Sequence, residues 1–315
     1  MLPKVAIIIV NWNGKADTLE CLASLSQDMY PNKQVIMVDN GSADGSVAVI
    51  RAAYPSVTVL ETGANLGFTG GNNVGINHAL EQGTDYVFLL NNDTTVESDA
   101  LTALVKAAEV DSKYGLLTPV IHYFDKPSEA WFAGSRMDLT RGAAYHDNSR
   151  VPARTERPRE IPWASGCAML VRAAIIQELG GFDDRYFLNW EDVDLSLRVR
   201  KLGSKIGLVP SSRIYHKVGR SFAAARGAGY YYYVRNNLLL LSIHGGRKPG
   251  RAMLRVLAAR LRESVTAMKN HEASSVRALP TTINAVQDFL CRRYGPLSTK
   301  SNFPVKPAGV QKTVI

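Results

Sequence analysis

Residues 5–14 have the sequence Val5-Ala6-Ile7-Ile8-Ile9-Val10-Asn11-Trp12-Asn13-Gly14, and this stretch decides the fold class. Its first six residues are all apolar and mostly β-branched, which predicts a strand buried on both faces of a sheet. The polar residues that follow indicate a loop, and a helical pattern begins at about Ala16. A buried strand followed directly by a helix is typical of an α/β protein.

The same alternation of strand and helix continues for the next hundred residues. Further strands are predicted at Gln34–Val38, Val57–Leu60 and Tyr86–Leu90, and further helices around Val47–Ile50, at Asn73–Leu80 and at Ala100–Val110. This order predicts a mostly parallel central sheet with helices on both faces. Ligands bind beyond the carboxyl ends of the strands in such sheets. Asn11, Asp39, Asn65 and Asp93, which come at or just after predicted strand ends, should therefore line one crevice.

The second part of the chain is less regular. The stretch 123–162 is rich in Arg and Pro and is predicted to form a long loop or flap over the crevice. Trp163–Val171 is a candidate strand beside it, and Glu191–Leu202 has helical spacing. Two polar clusters stand out: Asn91-Asn92-Asp93 after a strand, and Glu191-Asp192-Val193-Asp194 at the start of a helix. Together they point to chemistry on a diphosphate-bearing substrate.

The net charge of +9 is concentrated at the C-terminal end. Residues 1–229 contain 23 Lys and Arg against 25 Asp and Glu, whereas residues 230–315 contain 14 against 3. We therefore predict one large domain over residues 1–229 and a basic helical extension over residues 230–315. No nucleic-acid-binding module accompanies the basic segment, so nucleic acid is not an expected partner.

The extension contains an amphipathic helix. Leu254, Leu257, Leu261, Val265 and Met268 follow helical spacing, with arginines alongside. Such a helix suits the surface of an anionic membrane, so residues 247–272 are a candidate membrane contact. The alternative is a helix that packs on the main domain with a solvated basic face.

The three cysteines, Cys21, Cys167 and Cys291, form no CxxC pair, which indicates neither a disulfide framework nor a zinc site. Nothing resembles a signal peptide, and the apolar run Leu238–Leu241 is too short to span a bilayer. We therefore expect a cytoplasmic protein, or one bound peripherally to the cytoplasmic face of the membrane. The sequence does not define an oligomeric state.

Taken in order, the motifs resemble those of the family 2 glycosyltransferases, inverting enzymes with the GT-A fold, over about residues 4–225. The rhamnosyltransferase-like subgroup is the most similar. The landmarks are VNWNG at 10–14, VDNGS at 38–42, NLGF at 65–68, GGNN at 70–73, LNND at 90–93, WEDVDL at 190–195 and His216. The resemblance implies an α/β GT-A domain followed by the helical extension.

The resemblance also implies where the nucleotide binds. Asp39 occupies the position that the family uses for nucleotide recognition, although an Asp there could instead cap the Gly41-Ser42 turn. The other predicted nucleotide contacts are Asn11, Asn65, Gly67, Gly71, Asn72 and Asn92. The glycines lack Cβ atoms, so their backbone can approach a ribose or phosphate closely.

Asn91-Asn92-Asp93 stands in the place of the family's DxD motif. Asp93 is the predicted ligand of Mg²⁺ or Mn²⁺, a cation that would bridge to the substrate's phosphates. The first acidic position is Asn91, which departs from the motif. His216 matches a histidine that completes the metal shell in some members, against the alternative of a structural histidine.

Asp192 is the predicted catalytic base, which takes the proton of the acceptor hydroxyl as it attacks the anomeric carbon. Glu191 could share that role or bind the acceptor. The alternative is that the carboxylates at this helix start serve the helix dipole. Trp190 and Trp163 are the predicted acceptor or sugar contacts, although Trp190 could equally be a core residue.

The predicted activity is transfer of a sugar from a nucleotide-diphosphate donor, dTDP-L-rhamnose or a UDP-sugar, to a glycan or polyprenyl-linked glycan of the cell surface. A nucleotidyltransferase would carry a glycine-rich loop with Lys or Arg directly after the first strand, and an NAD-dependent dehydrogenase would carry GxGxxG there. This chain has Trp12-Asn13-Gly14 instead. A non-catalytic nucleotide- or glycan-binding protein would not need Asp93, Asp192 and His216 together.

Overall fold

A computed structural model describes residues 1–148, 151–218, 228–246, 248–269 and 275–297. The strands in chain order are β1 (Val5–Asn11), β2 (Lys33–Asp39), β3 (Thr58–Glu61), β4 (Tyr86–Asn91), β5 (Thr94–Val96), β6 (Tyr114–Tyr123), β7 (Ala130–Phe132), β8 (Ser135–Asp138), β9 (Ala143–His146), β10 (Arg159–Glu160), β11 (Ala168–Arg172) and β12 (Lys205–His216). The helices are α1 (Lys15–Ser26), α2 (Ser46–Ala53), α3 (Gly67–Glu81), α4 (Ala100–Val110), α5 (Ala173–Leu179), α6 (Glu191–Lys201), α7 (Ala228–His244), α8 (Pro249–Lys269) and α9 (Ser275–Leu290).

The first half of the central sheet is parallel, as predicted. Its strands lie in the order β4-β1-β2-β3, and the apolar residues of β1 up to Ile9 are completely buried. Register places Asn11 opposite Asp39, and Val10 opposite Asn91. The polar residues that end these three strands therefore share one edge of the sheet, where a ligand can approach.

The second half of the sheet is mixed. β11 lies between β4 and β6 and runs antiparallel to both, while β12 is parallel to β6. The predicted α/β class is confirmed, but the parallel arrangement stops at β4. The reason is that β11 follows an excursion without a crossover helix, so it enters the sheet from the opposite end. The predicted strand 163–171 is shorter than expected and begins at Ala168.

The segment predicted as a long loop contains short strands. β7 pairs with the end of β6, β8 and β9 form a separate hairpin, and β10 pairs with β12. Residues 149 and 150 lie outside the described part. The segment covers the polar end of β12 and brings aromatic residues to it.

The predicted C-terminal helices are present, and α7 is tightly packed. Leu239 and Leu240 join the main hydrophobic core, and the Tyr232 ring stacks on Phe187 at 5.0 Å. α9 packs against α7. The predicted boundary after Gly229 remains a prediction.

α8 is the predicted amphipathic helix. Ala252 and Val256 are buried, whereas Leu254 is 68% exposed and Leu261 46% exposed. Residues 247 and 270–272 of the predicted membrane segment lie outside the described part, as do the side chains of Val265 and Met268. Among the described helices, none has both the length and the apolar composition needed to cross a membrane.

Candidate functional site

Asp93 and His216 lie together at the polar edge of the sheet. Asp93 is in the two-residue turn between β4 and β5, and β5 pairs antiparallel with the end of β12, so that His216 stands opposite Thr94. The distance from His216 Nε2 to Asp93 Oδ1 is 3.1 Å, and both side chains are buried. The structure thus brings together the two residues predicted to bind a metal.

The buried pair is electrostatically coupled. Burial opposes a charge on the His216 ring, but its neighbours Cys167 and Asp93 raise the pKa of His216 to about 10. Burial also raises the pKa of the Cys167 thiol. With a pKa of about 10 the His216 ring carries a proton at neutral pH, and a cation bound at its Nε2 would displace that proton.

The donor atoms of this pair suit a divalent cation. A carboxylate oxygen and an imidazole nitrogen are both common ligands of divalent transition-metal ions such as Mn²⁺. Mg²⁺ is commonly held by one carboxylate together with substrate phosphates. Within the described ranges there is no group of three or more His, Cys, Asp or Glu side chains that could enclose a metal alone. Asp93 and His216 fit a cation that is shared with a diphosphate.

The second acidic cluster forms the start of α6. Asp192 Oδ2 accepts a hydrogen bond from the backbone N–H of Gly166 at 3.0 Å, and Oδ1 accepts one from the Val193 N–H at 2.8 Å. Glu191 is buried, and its Oε2 has no hydrogen-bond partner among the described residues. Asp192 is fixed by two donors, whereas Glu191 is not.

The two carboxyls have different surroundings, and these act differently on their pKa values. Burial, followed by the charge of Asp192, raises the pKa of Glu191 well above its usual range. Burial also raises the pKa of Asp192, but the N–H groups of Gly166 and Val193 oppose that rise. Burial thus favours the protonated form of both carboxyls, while the hydrogen bonds from Gly166 and Val193 favour the charged form of Asp192.

Gly166 and Cys167 connect the two clusters. Gly166 donates to Asp192, and the next residue, Cys167, is a neighbour of His216 and accepts a backbone hydrogen bond from Asn91 at 2.9 Å. A Cβ atom on Gly166 would lie only 3.3 Å from Asp192 Cβ. The predicted base and the predicted metal pair thus flank one tight turn before β11.

The predicted nucleotide residues at the ends of β1 and β2 form a buried network. Asn11 Nδ2 donates to Asp39 Oδ1 at 3.0 Å and to Ser46 Oγ at 2.8 Å, and Asn11 is completely buried. Asp39 Oδ2 accepts from the Ser42 N–H at 3.0 Å, which is the turn-capping contact considered above. A direct nucleotide contact by Asn11 or Asp39 remains a prediction.

The predicted nucleotide contacts Gly67 and Gly71 lie near the start of α3, which begins at Gly67, earlier than the predicted Asn73. A Cβ atom on Gly67 would lie 2.4 Å from the Phe187 carbonyl oxygen, and one on Gly71 would lie 2.8 Å from Val10 Cγ1. These glycines let α3 pack closely against β1 and against the segment that precedes α6. Asn72 Nδ2 donates to the Phe68 carbonyl of its own helix at 2.8 Å.

Asn40, which sequence reasoning did not single out, joins β2 to α3. Its Nδ2 donates to the Gly67 carbonyl at 2.9 Å and to Asn65 Oδ1 at 3.2 Å. Asn92, another predicted nucleotide contact, donates to Thr18 Oγ1 at 3.0 Å. Nucleotide roles for Asn65, Gly67, Gly71, Asn72 and Asn92 remain predictions.

The two predicted sugar-contact tryptophans are buried. The Trp163 indole N–H donates to the Arg136 carbonyl at 3.2 Å, and the Trp190 indole N–H donates to the Tyr233 carbonyl at 3.0 Å. Each indole already has a protein partner for its polar atom. Their role toward sugar or acceptor remains a prediction.

Sequence reasoning missed an aromatic cluster beside Asp93 and His216. The Trp131 ring centroid lies 4.6 Å from those of both His216 and His146, and His146 Nδ1 is 2.9 Å from the Trp131 carbonyl oxygen. The charges of Asp192 and His216 both act on His146, although burial dominates and lowers its pKa. The irregular segment offers no periodicity that could have identified these residues.

Comparison with known proteins gives a consistent result. A family model described as glycosyltransferase like family 2 matches residues 3–227. The N-acetylglucosaminyl-diphospho-decaprenol L-rhamnosyltransferase of Mycobacterium tuberculosis H37Rv is 31% identical over 246 residues, which are 70% of this chain and 78% of that protein. Galactofuranosyltransferase GlfT1 of the same organism is 28% identical over 211 residues, 65% of this chain and 66% of that protein.

Solved structures show the same fold. S. aureus TarS 1-349 in complex with UDP-GlcNAc has a TM-score of 0.59 at 16% identity, covering 91% of this chain and 80% of that one. The mannosyltransferase PcManGT of Pyrobaculum calidifontis, in complex with GDP-Man and Mn²⁺, has a TM-score of 0.58 at 18% identity, covering 92% and 76%. The GT-A fold is confirmed, and the chain belongs to glycosyltransferase family 2.

Proposed function

We propose that this glycosyltransferase inverts the anomeric centre as it moves a sugar from a nucleotide-diphosphate donor to a polyprenyl-linked glycan. One observation carries the proposal: Gly166 donates a hydrogen bond to Asp192, and the next residue, Cys167, is an electrostatic neighbour of His216. A base and a diphosphate site must be neighbours if one displacement is to join acceptor and donor. That arrangement supports transfer more than simple binding.

Each residue of the site has a distinct task in this mechanism. Asp192 takes the proton of the acceptor hydroxyl, whose oxygen forms a bond to the anomeric carbon as the bond to the nucleoside diphosphate breaks. Glu191, whose pKa is raised by burial, can donate a hydrogen bond to acceptor or donor when it is protonated. Asp93 and His216 would hold Mg²⁺ or Mn²⁺, which supplies charge neutralisation for the departing diphosphate.

The donor is proposed to be dTDP-L-rhamnose or a UDP-sugar, and the acceptor a polyprenyl-diphosphate glycan of the cell surface. The support is the 31% identity to an enzyme named as an L-rhamnosyltransferase on N-acetylglucosaminyl-diphospho-decaprenol. The relative named galactofuranosyltransferase supports the same general chemistry with another sugar.

A donor screen tests this proposal. The purified chain is heated with Mg²⁺ or Mn²⁺ and a panel of nucleotide sugars, and a ligand at about a hundred times its Kd should add about 2.7 kcal/mol of stability. Donors that stabilise the protein are then incubated with polyprenyl-diphosphate N-acetylglucosamine, and the product is identified by mass spectrometry. Folded protein that neither responds to any donor nor transfers a sugar would contradict the proposal.

We further propose that α8 rests on an anionic membrane, where a polyprenyl acceptor would be found. Leu254, Ala258 and Leu261 are exposed at helical spacing, and Arg251 and Arg262 are exposed alongside them. An exposed apolar stripe with arginine at its borders matches the surface of a bilayer that contains anionic lipid. The charge of +11 over residues 230–315 acts in the same direction.

Point substitutions test the membrane contact without removing α7. Leu254→Glu with Leu261→Glu places charges on the exposed face and leaves the buried Ala252 and Val256 intact. Sedimentation with phosphatidylglycerol vesicles should show loss of binding for this variant. A matched control reverses exposed lysines elsewhere, Lys113→Glu with Lys201→Glu. Equal binding by the α8 variant and the wild type would refute the contact.

A further inference from the structure

Two consecutive residues before the predicted base have an unusual backbone. Asn189 has φ 71° and Trp190 has φ 73°, so both lie in the left-handed region although neither is glycine. Asparagine tolerates this conformation, whereas a bulky residue such as tryptophan adopts it only at a cost in backbone strain. Such a conformation persists only when surrounding contacts impose it. Trp190 directly precedes Glu191 and Asp192, so its backbone sets the start of α6.

The contacts that impose this conformation come from α7. Asn236 is completely buried, and its Nδ2 donates to the Leu188 carbonyl at 2.8 Å and to the Asn189 carbonyl at 3.1 Å. The Trp190 indole donates to the Tyr233 carbonyl at 3.0 Å, and the two rings lie 5.2 Å apart. One amide group thus bonds the carbonyl just before the left-handed pair, that of Leu188, and the carbonyl between its two members, that of Asn189.

Asn236 is itself fixed by a buried cation. Its Oδ1 accepts from Arg235 Nε at 3.0 Å, and Arg235 also donates to the Gly295 carbonyl at 2.8 Å. The Arg235 guanidinium lies 5.3 Å and 5.1 Å from the ring centroids of Tyr231 and Tyr232. Because Arg235 can only donate, the Asn236 amide must turn its oxygen toward Arg235 and its N–H groups toward residues 188 and 189.

The far end of α7 contacts the same helix. His244 Nε2 lies 2.7 Å from Asp194 Oδ1, and both side chains are buried. Arg198 Nε donates to Asp194 Oδ2 at 2.8 Å, within α6. α7 therefore holds α6 both before and just after the predicted base.

We propose that Asn236 is a positioning residue for the Glu191-Asp192 pair. By bonding the Leu188 and Asn189 carbonyls, it holds the left-handed segment that aims Asp192 at the turn containing Gly166. The consequence for turnover rests on the proposed function, whereas the backbone constraint does not. The family model ends at residue 227, so α7, which carries Asn236, lies beyond the matched region.

Asn236→Asp is the test variant. It preserves size and the oxygen that accepts from Arg235, but it replaces the donor group with an oxygen that repels the two carbonyls. The matched control is Asn237→Asp, because Asn237 is equally buried and donates to a single different carbonyl, that of Gly142, at 2.7 Å. Both variants lose a buried amide donor, and only the first loses the contact with the left-handed pair.

Two readouts keep this inference separate from the proposed function. Hydrogen exchange by mass spectrometry follows the peptide over residues 188–194, where the Asp194 N–H bonds the Trp190 carbonyl at 2.9 Å, and needs no activity. Turnover with a saturating donor follows kcat, while thermal shift follows donor binding. Wild-type protein without transfer activity would refute the proposed function and leave the exchange result to decide the positioning role.

Asn236→Asp should speed exchange over residues 188–194 and lower kcat about 10–100-fold with donor binding retained. Asn237→Asp should leave that peptide protected and kcat within about twofold. If Asn236→Asp does not fold, Asn236→Ser, which keeps one donor, gives the same comparison. The inference would be overturned if Asn236→Asp exchanged over residues 188–194 and turned over at the same rates as the wild type. It would also be overturned if Asn236→Asp and Asn237→Asp lost protection and kcat to the same extent.

Discussion

The Asp192 carboxylate accepts a hydrogen bond from the Gly166 backbone N–H at 3.0 Å, and this contact joins two parts of the chain that are distant in sequence. It places the predicted base beside Cys167, the neighbour of His216. The proposed function requires such neighbouring positions for proton transfer and for departure of the diphosphate. The following predictions test the parts of this arrangement separately.

Asp192→Asn should lower kcat by about 10²–10⁴-fold, because an amide cannot accept the acceptor's proton. The donor should still stabilise the variant in a thermal-shift assay, since Asp192 is not needed to bind it. Glu178→Gln, which removes an exposed carboxylate on α5, serves as the control and should leave kcat unchanged. Turnover by Asp192→Asn at the wild-type rate would show that another group is the base.

Glu191→Gln should stabilise the protein, and the gain should depend on pH. Burial raises the pKa of Glu191 in the folded state, so the wild type loses stability as pH rises from the unfolded value of about 4.3 through the folded one. Glutamine has no such titration. The difference in Tm between variant and wild type should therefore be small near pH 4 and grow toward neutral pH. A Tm difference that stays constant across the whole pH range would contradict a raised pKa of Glu191.

His216→Gln and Asp93→Asn should each weaken stabilisation by a nucleotide sugar when the metal is present. Each removes one of the two proposed protein ligands, and among the residues that the structure describes no group of three or more His, Cys, Asp or Glu side chains could hold the metal instead. The measurement is the Tm shift with donor, with and without Mn²⁺, for each variant. His78→Gln, a histidine on α3 away from this pair, is the control. An unchanged metal-dependent shift in both site variants would place the metal elsewhere.

Gly67→Ala should destabilise the fold more than Gly63→Ala does. Both glycines have positive φ, 75° and 72°, so each substitution costs about 1 kcal/mol in backbone strain. At Gly63 the new Cβ meets open space, whereas at Gly67 it would lie 2.4 Å from the Phe187 carbonyl oxygen. Gly67→Ala should also lower kcat, because residue 187 leads into the segment before Asp192. Chemical denaturation and turnover measure both effects, and equal losses of stability would exclude the clash.

Much of the fold was predictable from local pattern alone. The buried strand at Val5, the helix at Ala100–Val110 and the polar residues at the ends of β1, β2 and β4 follow from periodicity and from the geometry of parallel sheets. The mixed second half was not predictable in this way. β11 pairs on both sides with strands that precede it, and strand direction after a long excursion leaves no mark on hydrophobic alternation.

The candidate site, like the fold, was predictable only in part. Sequence by itself determined which carboxylates and histidine were available, because Asp93, Asp192 and His216 stand in recognisable local motifs. Only the tertiary structure decided their relationship: Gly166, Cys167 and Asn236 act through backbone groups and buried amides. Such contacts depend on where chain segments meet in space, and nearly any residue can supply a backbone N–H. The sequence therefore determined the chemical groups of this protein, and the packing of α7 and β11 decided where those groups are held.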